Sequence, residues 1–86
     1  MNKNINHEYV RIHDPGHSWL AVPVQDVRDI GVLPKITPYS PVVGGMIYLE
    51  EDCDMWAFYK AMLDNGVSMT VVNEIVDDFD EYLKTV

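Results

Sequence analysis

The fold class is decided by residues 8–24, which read EYVRIHDPGHSWLAVPV. Apolar and polar side chains alternate in 8–12, and 18–24 divide into two opposed sets, Trp19, Ala21 and Pro23 against Leu20, Val22 and Val24. Both patterns have the period of a strand. Between the two runs stands Asp14-Pro15-Gly16, a turn sequence in which proline fixes one backbone dihedral and glycine accepts a positive φ. The stretch therefore predicts an antiparallel β-hairpin.

The segments after the hairpin predict a mixture of helix and strand. Residues 25–30 have the spacing of a short helical turn that stops at Gly31. Residues 32–45 contain three prolines and two glycines. They predict an irregular connection, long enough to be a candidate binding loop. Residues 46–50 predict a third strand.

The clearest predicted helix covers residues 53–65. Asp52 or Asp54 is expected to cap its start, and Asn65-Gly66 is expected to end it. Acidic residues in the first turn also suit the helix dipole. The apolar body of this helix is predicted to contain Trp56, Tyr59, Ala61 and Leu63.

Residues 67–86 allow two interpretations. At 100° per residue the apolar side chains fall on one side and the polar ones on the other, which is typical of an amphipathic helix. The β-branched run Thr70-Val71-Val72 favours a strand instead. We predict a strand at 67–72 followed by a helix at 73–84, with one continuous helix as the alternative.

Charge is distributed very unevenly in this 86-residue chain. Residues 50–86 hold ten acidic residues against two lysines, while 1–49 are balanced, so the formal net charge of −8 lies in the second part. Such a surface lacks the basic footprint that nucleic acid or anionic membrane needs. It favours a basic protein partner. The alternative is a solvated face that only keeps the protein soluble.

Composition fits one folded domain. We expect a single small acidic domain over residues 1–86, with the polar residues 1–6 disordered. No apolar run approaches the roughly 18 residues of a membrane span. No signal-peptide pattern is present, so the chain is expected in the cytoplasm.

Metal and catalytic chemistry are the less favoured hypotheses. His13 and His17 flank the turn, and His7 and Cys53 lie in other parts of the sequence. A structural zinc site requires four ligands with recognisable pair spacing, which these residues lack. The acids beside Cys53 work against a thiolate nucleophile. We therefore predict no enzyme, no cofactor and no metal, and we interpret Trp19, Trp56, Phe58 and Tyr59 as core residues.

Residues 13–66 resemble a group of small uncharacterised proteins of bacteria, phages and other mobile elements. The resemblance is carried by Gly-His-Ser-Trp-Leu at 16–20, by Tyr39-Ser40 and by Tyr-Leu-Glu-Glu-Asp-Cys-Asp at 48–54. The sequence departs from the pattern at Ser18, where the group has glycine, at Pro38 and Pro41, and in its acidic tail. The resemblance implies a mixed fold and a mobile-element origin, not a chemistry.

Together these patterns predict an α+β fold, a small antiparallel sheet of three to four strands with one or two helices packed on one face. The predicted function is that of a non-enzymatic inhibitor whose acidic, DNA-mimic-like surface binds a basic host protein, such as a nuclease or a nucleoprotein complex. An interaction module or homodimer that uses an apolar loop surface at 34–45 is the alternative. The predicted partner-binding residues are Glu50, Glu51, Asp52, Asp54, Glu74, Asp77, Asp78, Asp80, Glu81 and Tyr39.

Overall fold

The computed structural model describes residues 7–86, so the expectation for residues 1–6 lies outside the described residues. The elements in chain order are β1 (His7–His13), β2 (Ser18–Pro23), α1 (Val24–Asp29), a 3₁₀ turn (Leu33–Lys35), β3 (Val42–Val43), β4 (Met46–Glu50), α2 (Asp54–Asp64), β5 (Met69–Ile75) and α3 (Phe79–Leu83). The predicted α+β class is confirmed. Within residues 7–86, none of the helices is both long enough and apolar enough to span a bilayer.

The sheet has five strands in the order β3-β4-β2-β1-β5. The predicted hairpin is confirmed, because β1 and β2 pair antiparallel with Val10 opposite Ala21 and Ile12 opposite Trp19. The sheet as a whole is mixed, since β5 runs parallel to β1. The prediction of three to four antiparallel strands was therefore wrong in strand number and in the direction of β5. The reason is that β4 runs parallel to β1 and α2 forms a crossover connection after it. The next strand, β5, therefore runs in the same direction as β4 and β1.

The segment predicted as an irregular connection contains a strand. Val42 and Val43 pair with the start of β4, with Val43 opposite Met46. Gly44 and Gly45 close this hairpin with φ of +58° and +80°. Positive φ at both central residues is the requirement of a type I′ turn, which glycine meets without steric cost.

Both faces of the sheet are covered. On one face Tyr9, Leu20 and Leu49 pack against α1 and α2. On the other face Ile12 and Tyr48 pack against α3. The prediction that the helices lie on one face was wrong. Neighbouring residues of a strand point to opposite faces. In β1 and β2 the residues on each face are apolar enough to be buried, so a helix can cover either side.

The buried stripe of α2 differs from the predicted one. Met55, Phe58 and Met62 face the core, at the i, i+3, i+7 spacing of one helical face. Trp56 is 66% exposed and Leu63 is 79% exposed, so the prediction that they belong to the apolar body was wrong. The flexible methionines fill the space under the helix instead.

The predicted cap of α2 was also wrong. Cys53 occupies the cap position, and its side chain makes no capping hydrogen bond. The carboxylate of Glu50 accepts hydrogen bonds from the amide N–H groups of Asp52 (3.1 Å) and Cys53 (2.9 Å), and so satisfies the turn before the helix. At the other end Asn65 lies at the cap and Gly66 has φ of +66°, which confirms the predicted stop.

Residues 67–86 form a strand and a helix, so the continuous-helix alternative was wrong. The strand is longer than predicted because all seven residues of Met69–Ile75 pair with β1. The helix is shorter and begins after Asp78, whose carboxylate accepts from the amide of Glu81 at 3.2 Å. This N-cap satisfies one of the amides left without a partner in the first turn of the helix.

Candidate functional site

One end of the sheet collects acidic residues from separate parts of the chain. β1, β4 and β5 finish at this end, and β2 begins there. The segments that follow the strands carry Asp14, then Glu50, Glu51 and Asp52, then Asp77, Asp78 and Asp80. We refer to these seven residues as the acidic end. All of them except Asp14 were predicted from the sequence as partner-binding residues, and the parallel placement of β5 brings the acids after β4 and those after β5 to the same end of the sheet.

The β1–β2 turn forms the middle of the acidic end. Asp14 Oδ1 accepts hydrogen bonds from the amides of Gly16 (3.0 Å) and His17 (2.9 Å), and its Oδ2 accepts from the amide of Phe79 at 3.4 Å. Removal of water opposes ionisation of Asp14, but these amides and the nearby His17 outweigh it and lower the pKa of Asp14. The carboxylate therefore fixes the turn and ties it to α3.

The segment after β4 contains one inward and one outward carboxylate. Glu51 accepts hydrogen bonds from the amide (3.2 Å) and the hydroxyl (3.1 Å) of Ser18, and it lies 3.8 Å from the guanidinium of Arg11. The side chain of Asp52 is exposed. Asp52 is thus open to a partner, while Glu51 has a structural role.

Asp54 was predicted as a partner-binding residue, but it lies in the interior and is only 1% exposed. Its Oδ2 accepts hydrogen bonds from the amide (3.0 Å) and hydroxyl (2.7 Å) of Thr37 and from the hydroxyl of Ser40 (2.6 Å). The hydroxyl of Ser40 in turn accepts from the amide of Glu50 at 3.0 Å. Asp54 therefore holds the 37–40 loop against the start of α2 and is not a surface group.

The segment after β5 supplies exposed carboxylates. Asp77, Asp78 and Asp80 are all exposed, and Asp78 also caps α3. Glu81 is paired with Lys84 at 3.2 Å. Glu74 lies on β5 beside Tyr82, and burial, the charge of Glu74 and a hydrogen bond with it raise the pKa of Tyr82. Lys84 therefore partly neutralises Glu81, whereas Glu74 keeps its charge and accepts a hydrogen bond from the Tyr82 hydroxyl.

Two grooves flank Trp19 and His17, at the centre of the acidic end. The first has a volume of about 410 Å³ and is lined by both residues with Tyr39, Glu50, Asp52 and Cys53. The second has a volume of about 280 Å³ and contains Asp14, Asp77, Asp78 and Asp80 on its walls. Tyr39 is 79% exposed at the margin of the first groove. Sequence reasoning assigned Tyr39 to the site but missed Asp14, His17 and Trp19, which only the folded turn brings to it.

The residues of the metal hypothesis do not converge. The ring of His13 shares a hydrogen bond with Asn73 at 2.8 Å, and the ring of His17 lies against Trp19. His7 is at the start of β1, and its ring nitrogen lies 3.8 Å from the carboxylate of Asp26. Cys53 is exposed. Within residues 7–86 no group of three or more histidine, cysteine or acidic side chains is arranged to hold a metal ion.

Comparisons with models of protein families, with curated proteins and with solved structures give no match.

Proposed function

We propose that this protein is a small non-enzymatic inhibitor that acts in the cytoplasm of a bacterial host. Its acidic end would occupy the basic, nucleic-acid-binding surface of a host protein such as a defence nuclease. The resemblance to proteins of phages and mobile elements supports this biological setting.

The observation that carries the proposal is the convergence of exposed carboxylates from three chain segments. Strands of a sheet lie about 4.8 Å apart, so the acids from β4 across to β5 extend over roughly 15 Å. Duplex DNA presents one charge per about 1.7 Å of its axis, and proteins that bind it carry complementary lysines and arginines. A row of fixed carboxylates of this width suits the same surface.

Among the described residues, the only ion pair that a lysine or arginine makes with the acidic end is the one between Arg11 and Glu51. Lys60 is paired with Asp64 on α2, and Lys84 is paired with Glu81. Arg11 lies beneath the end, where it donates to Ser18 and contacts Glu51. Asp52, Asp77 and Asp80 are therefore the residues best placed to meet a basic partner.

The test is capture of partners from nuclease-treated bacterial lysate at low and at high salt. The test variant carries Asp52→Asn, Asp77→Asn and Asp80→Asn, because these exposed side chains make no hydrogen bond or ion pair within residues 7–86. Neutralising Asp77, Asp78, Asp80 and Glu81 together is less clean, since Asp78 also caps α3. The control variant carries Glu8→Gln, Asp29→Asn and Asp64→Asn, which change the net charge equally but lie near the opposite end of the sheet.

We expect the unchanged protein and the control variant to retain a nucleic-acid-binding protein that high salt or added duplex DNA releases. The test variant should lose it. For the purified partner, the logarithm of the association constant should fall linearly with the logarithm of salt concentration. Equal loss of binding in both variants would show that only overall charge matters, and equal retention would show that the acidic end does not make the contact. A salt-resistant partner would contradict the mimicry.

A second candidate is an interaction module that uses the 34–45 loop. Tyr39 and Val42 are large side chains that both project into solvent from this region. Exposed aromatic and β-branched groups favour an apolar contact with little salt dependence. Tyr39→Ser together with Val42→Ser should abolish such binding while leaving salt-sensitive binding unchanged.

A further inference from the structure

We propose that a second copy of this chain pairs antiparallel with the outer edge of β5, so that two five-stranded sheets join into one. This inference concerns the edge of the sheet and does not rest on the proposed function of the acidic end.

The outer edge of β5 is unpaired within residues 7–86, because β5 is the last strand of the sheet. The amide of His7 donates to the carbonyl of Ser68 at 3.2 Å, and the amide of Val76 donates to the carbonyl of His13 at 2.8 Å. Backbone groups alternate in direction along a strand, so even-numbered residues of β5 face β1. The odd-numbered residues Met69, Val71, Asn73 and Ile75 therefore present their N–H and C=O groups outward.

Apart from the charge of Glu74, the edge lacks the usual protection against pairing. Natural edge strands carry proline, lysine or a bulge, or they are very short. Met69–Ile75 is seven residues long and contains neither proline nor lysine, and its register with β1 is continuous. Ile75 is 78% exposed and Val72 is 45% exposed on this strand. Such an edge is a template for another strand.

The strand is complementary to itself in one register. Antiparallel pairing centred on Val72 places Met69 opposite Ile75 and Val71 opposite Asn73, so all the outward-facing residues form hydrogen-bonded pairs. Glu74 then lies opposite Thr70 and not opposite its own copy, which avoids like charges facing each other. This register pairs the whole of β5 and sets the exposed Ile75 of each copy beside Met69 of the other, and on that fit we assign the edge to a second copy of this chain.

A groove beside β5 receives the side chain that this register brings to it. Its volume is about 380 Å³, and it is lined by Tyr59, Met62, Leu63, Val67, Met69 and Val71. Ile75 of the second copy would lie on the same face of the joined sheet as Met69 and would reach this groove. Two exposed apolar side chains, Ile75 and Leu63, would become buried against each other, once in each half of the twofold pair.

Antiparallel pairing also separates the acidic ends. The acidic end follows the last residue of β5, so the two copies present it at opposite ends of the joined sheet. The repulsion between two chains of formal charge −8 is then reduced by distance and further by salt. Dimerisation should therefore strengthen with salt, whereas binding of a basic partner should weaken.

The first test is sedimentation of the full chain from micromolar to millimolar concentration at low and high salt. We expect a monomer–dimer equilibrium that Ile75→Lys weakens by about tenfold or more, since a charge would be buried in the groove. The matched control is Val86→Lys, an exposed β-branched residue outside β5 and outside the 34–45 loop, which should leave the equilibrium unchanged. A monomer at every concentration, or equal effects of the two variants, would overturn the proposal.

The second test measures the register by cross-linking in a Cys53→Ser background. Val72→Cys should form a disulfide-linked dimer on oxidation, because a facing pair in antiparallel strands has Cα atoms about 4.5 Å apart. Glu74→Cys lies on the same face but would be roughly 14 Å from its copy, so it should form no disulfide-linked dimer. Cross-linking through Glu74→Cys and not through Val72→Cys would overturn the register and the proposal with it.

Discussion

The indole of Trp19 lies stacked on the ring of Phe79, with centroids 3.6 Å apart and planes within 7° of parallel. This contact joins β2 to α3 across the second face of the sheet. The amide of Phe79 also donates to Asp14, so the β1–β2 turn, the strand after it and α3 meet at one place. The position of the acidic residues around Phe79 therefore depends on its aromatic ring.

Phe79→Ala is expected to lower the free energy of unfolding by about 3–5 kcal/mol. Phe79 is 4% exposed and also contacts Tyr48 and Tyr82, so its removal leaves a cavity under α3. Chemical denaturation measures the loss, and the near-ultraviolet circular dichroism of Trp19 should weaken. Trp56→Ala, at an exposed aromatic residue of α2, is the control and should change stability by no more than about 0.5 kcal/mol. Equal losses in the two variants would contradict the assigned packing.

Asp54→Ala is expected to destabilise the fold by about 2–4 kcal/mol, because it leaves the amide and hydroxyl of Thr37 and the hydroxyl of Ser40 without their acceptor. The 37–40 loop should then loosen, and trypsin should cut faster after the neighbouring Lys35. The control is Asp52→Ala, an exposed acid two residues away. If trypsin cleavage rates and stability were the same in both variants, the role given to Asp54 would be wrong.

Asp14 should contribute stability that disappears in acid. Because the folded state lowers its pKa, this contribution is present above the pKa of the unfolded chain and is lost as the pH falls through the folded value. Asp14→Asn keeps an oxygen for the turn amides but removes the charge. The difference in unfolding free energy between the two proteins should therefore be largest near neutral pH and shrink on acidification. A difference that stays constant down to the acid transition would refute this assignment.

The local parts of the fold could be predicted from the sequence. Asp14-Pro15-Gly16 predicts the hairpin, and Gly31 and Gly66 predict two helix ends, because each signal acts within a few residues. The β-branched run at 70–72 predicted a strand. Its parallel pairing with β1 could not be predicted, because that pairing depends on the crossover through α2 and not on a signal within residues 69–75.

The acidic charge of the candidate site could be predicted from the sequence, but the positions and burial of its side chains could not. An acidic residue before a helix looks the same whether it caps the helix, faces solvent or turns inward, and Asp54 turns inward because Thr37 and Ser40 come to it from the preceding loop. His17 and Trp19 carry no charge pattern that would mark them. They join the site because the parallel β5 brings α3 and its acids next to the β1–β2 turn.

The last prediction concerns Tyr9, whose hydroxyl donates to Asp26 Oδ2 at 2.8 Å. Burial first, and then the hydrogen bond and the negative charge of Asp26, raise the pKa of Tyr9. The stabilisation that follows is fully present below the pKa of about 10 of an unfolded tyrosine, and it is lost as the pH rises toward the folded value.

Tyr9→Phe keeps the ring that packs edge-on against Phe58 but removes the ionisable hydroxyl. We expect it to cost about 1 kcal/mol at neutral pH, because Asp26 loses a donor. Above pH 10 this deficit should shrink, since only the unchanged protein still loses the contribution of Tyr9. Denaturation midpoints measured from neutral pH to strong alkali check the deficit. The ultraviolet absorbance of tyrosinate, which a free tyrosine acquires at about pH 10, checks the raised pKa of Tyr9. A deficit that grows with pH would mean that the hydroxyl of Tyr9 ionises more readily in the fold than in the unfolded chain, and the assigned contact with Asp26 would be wrong.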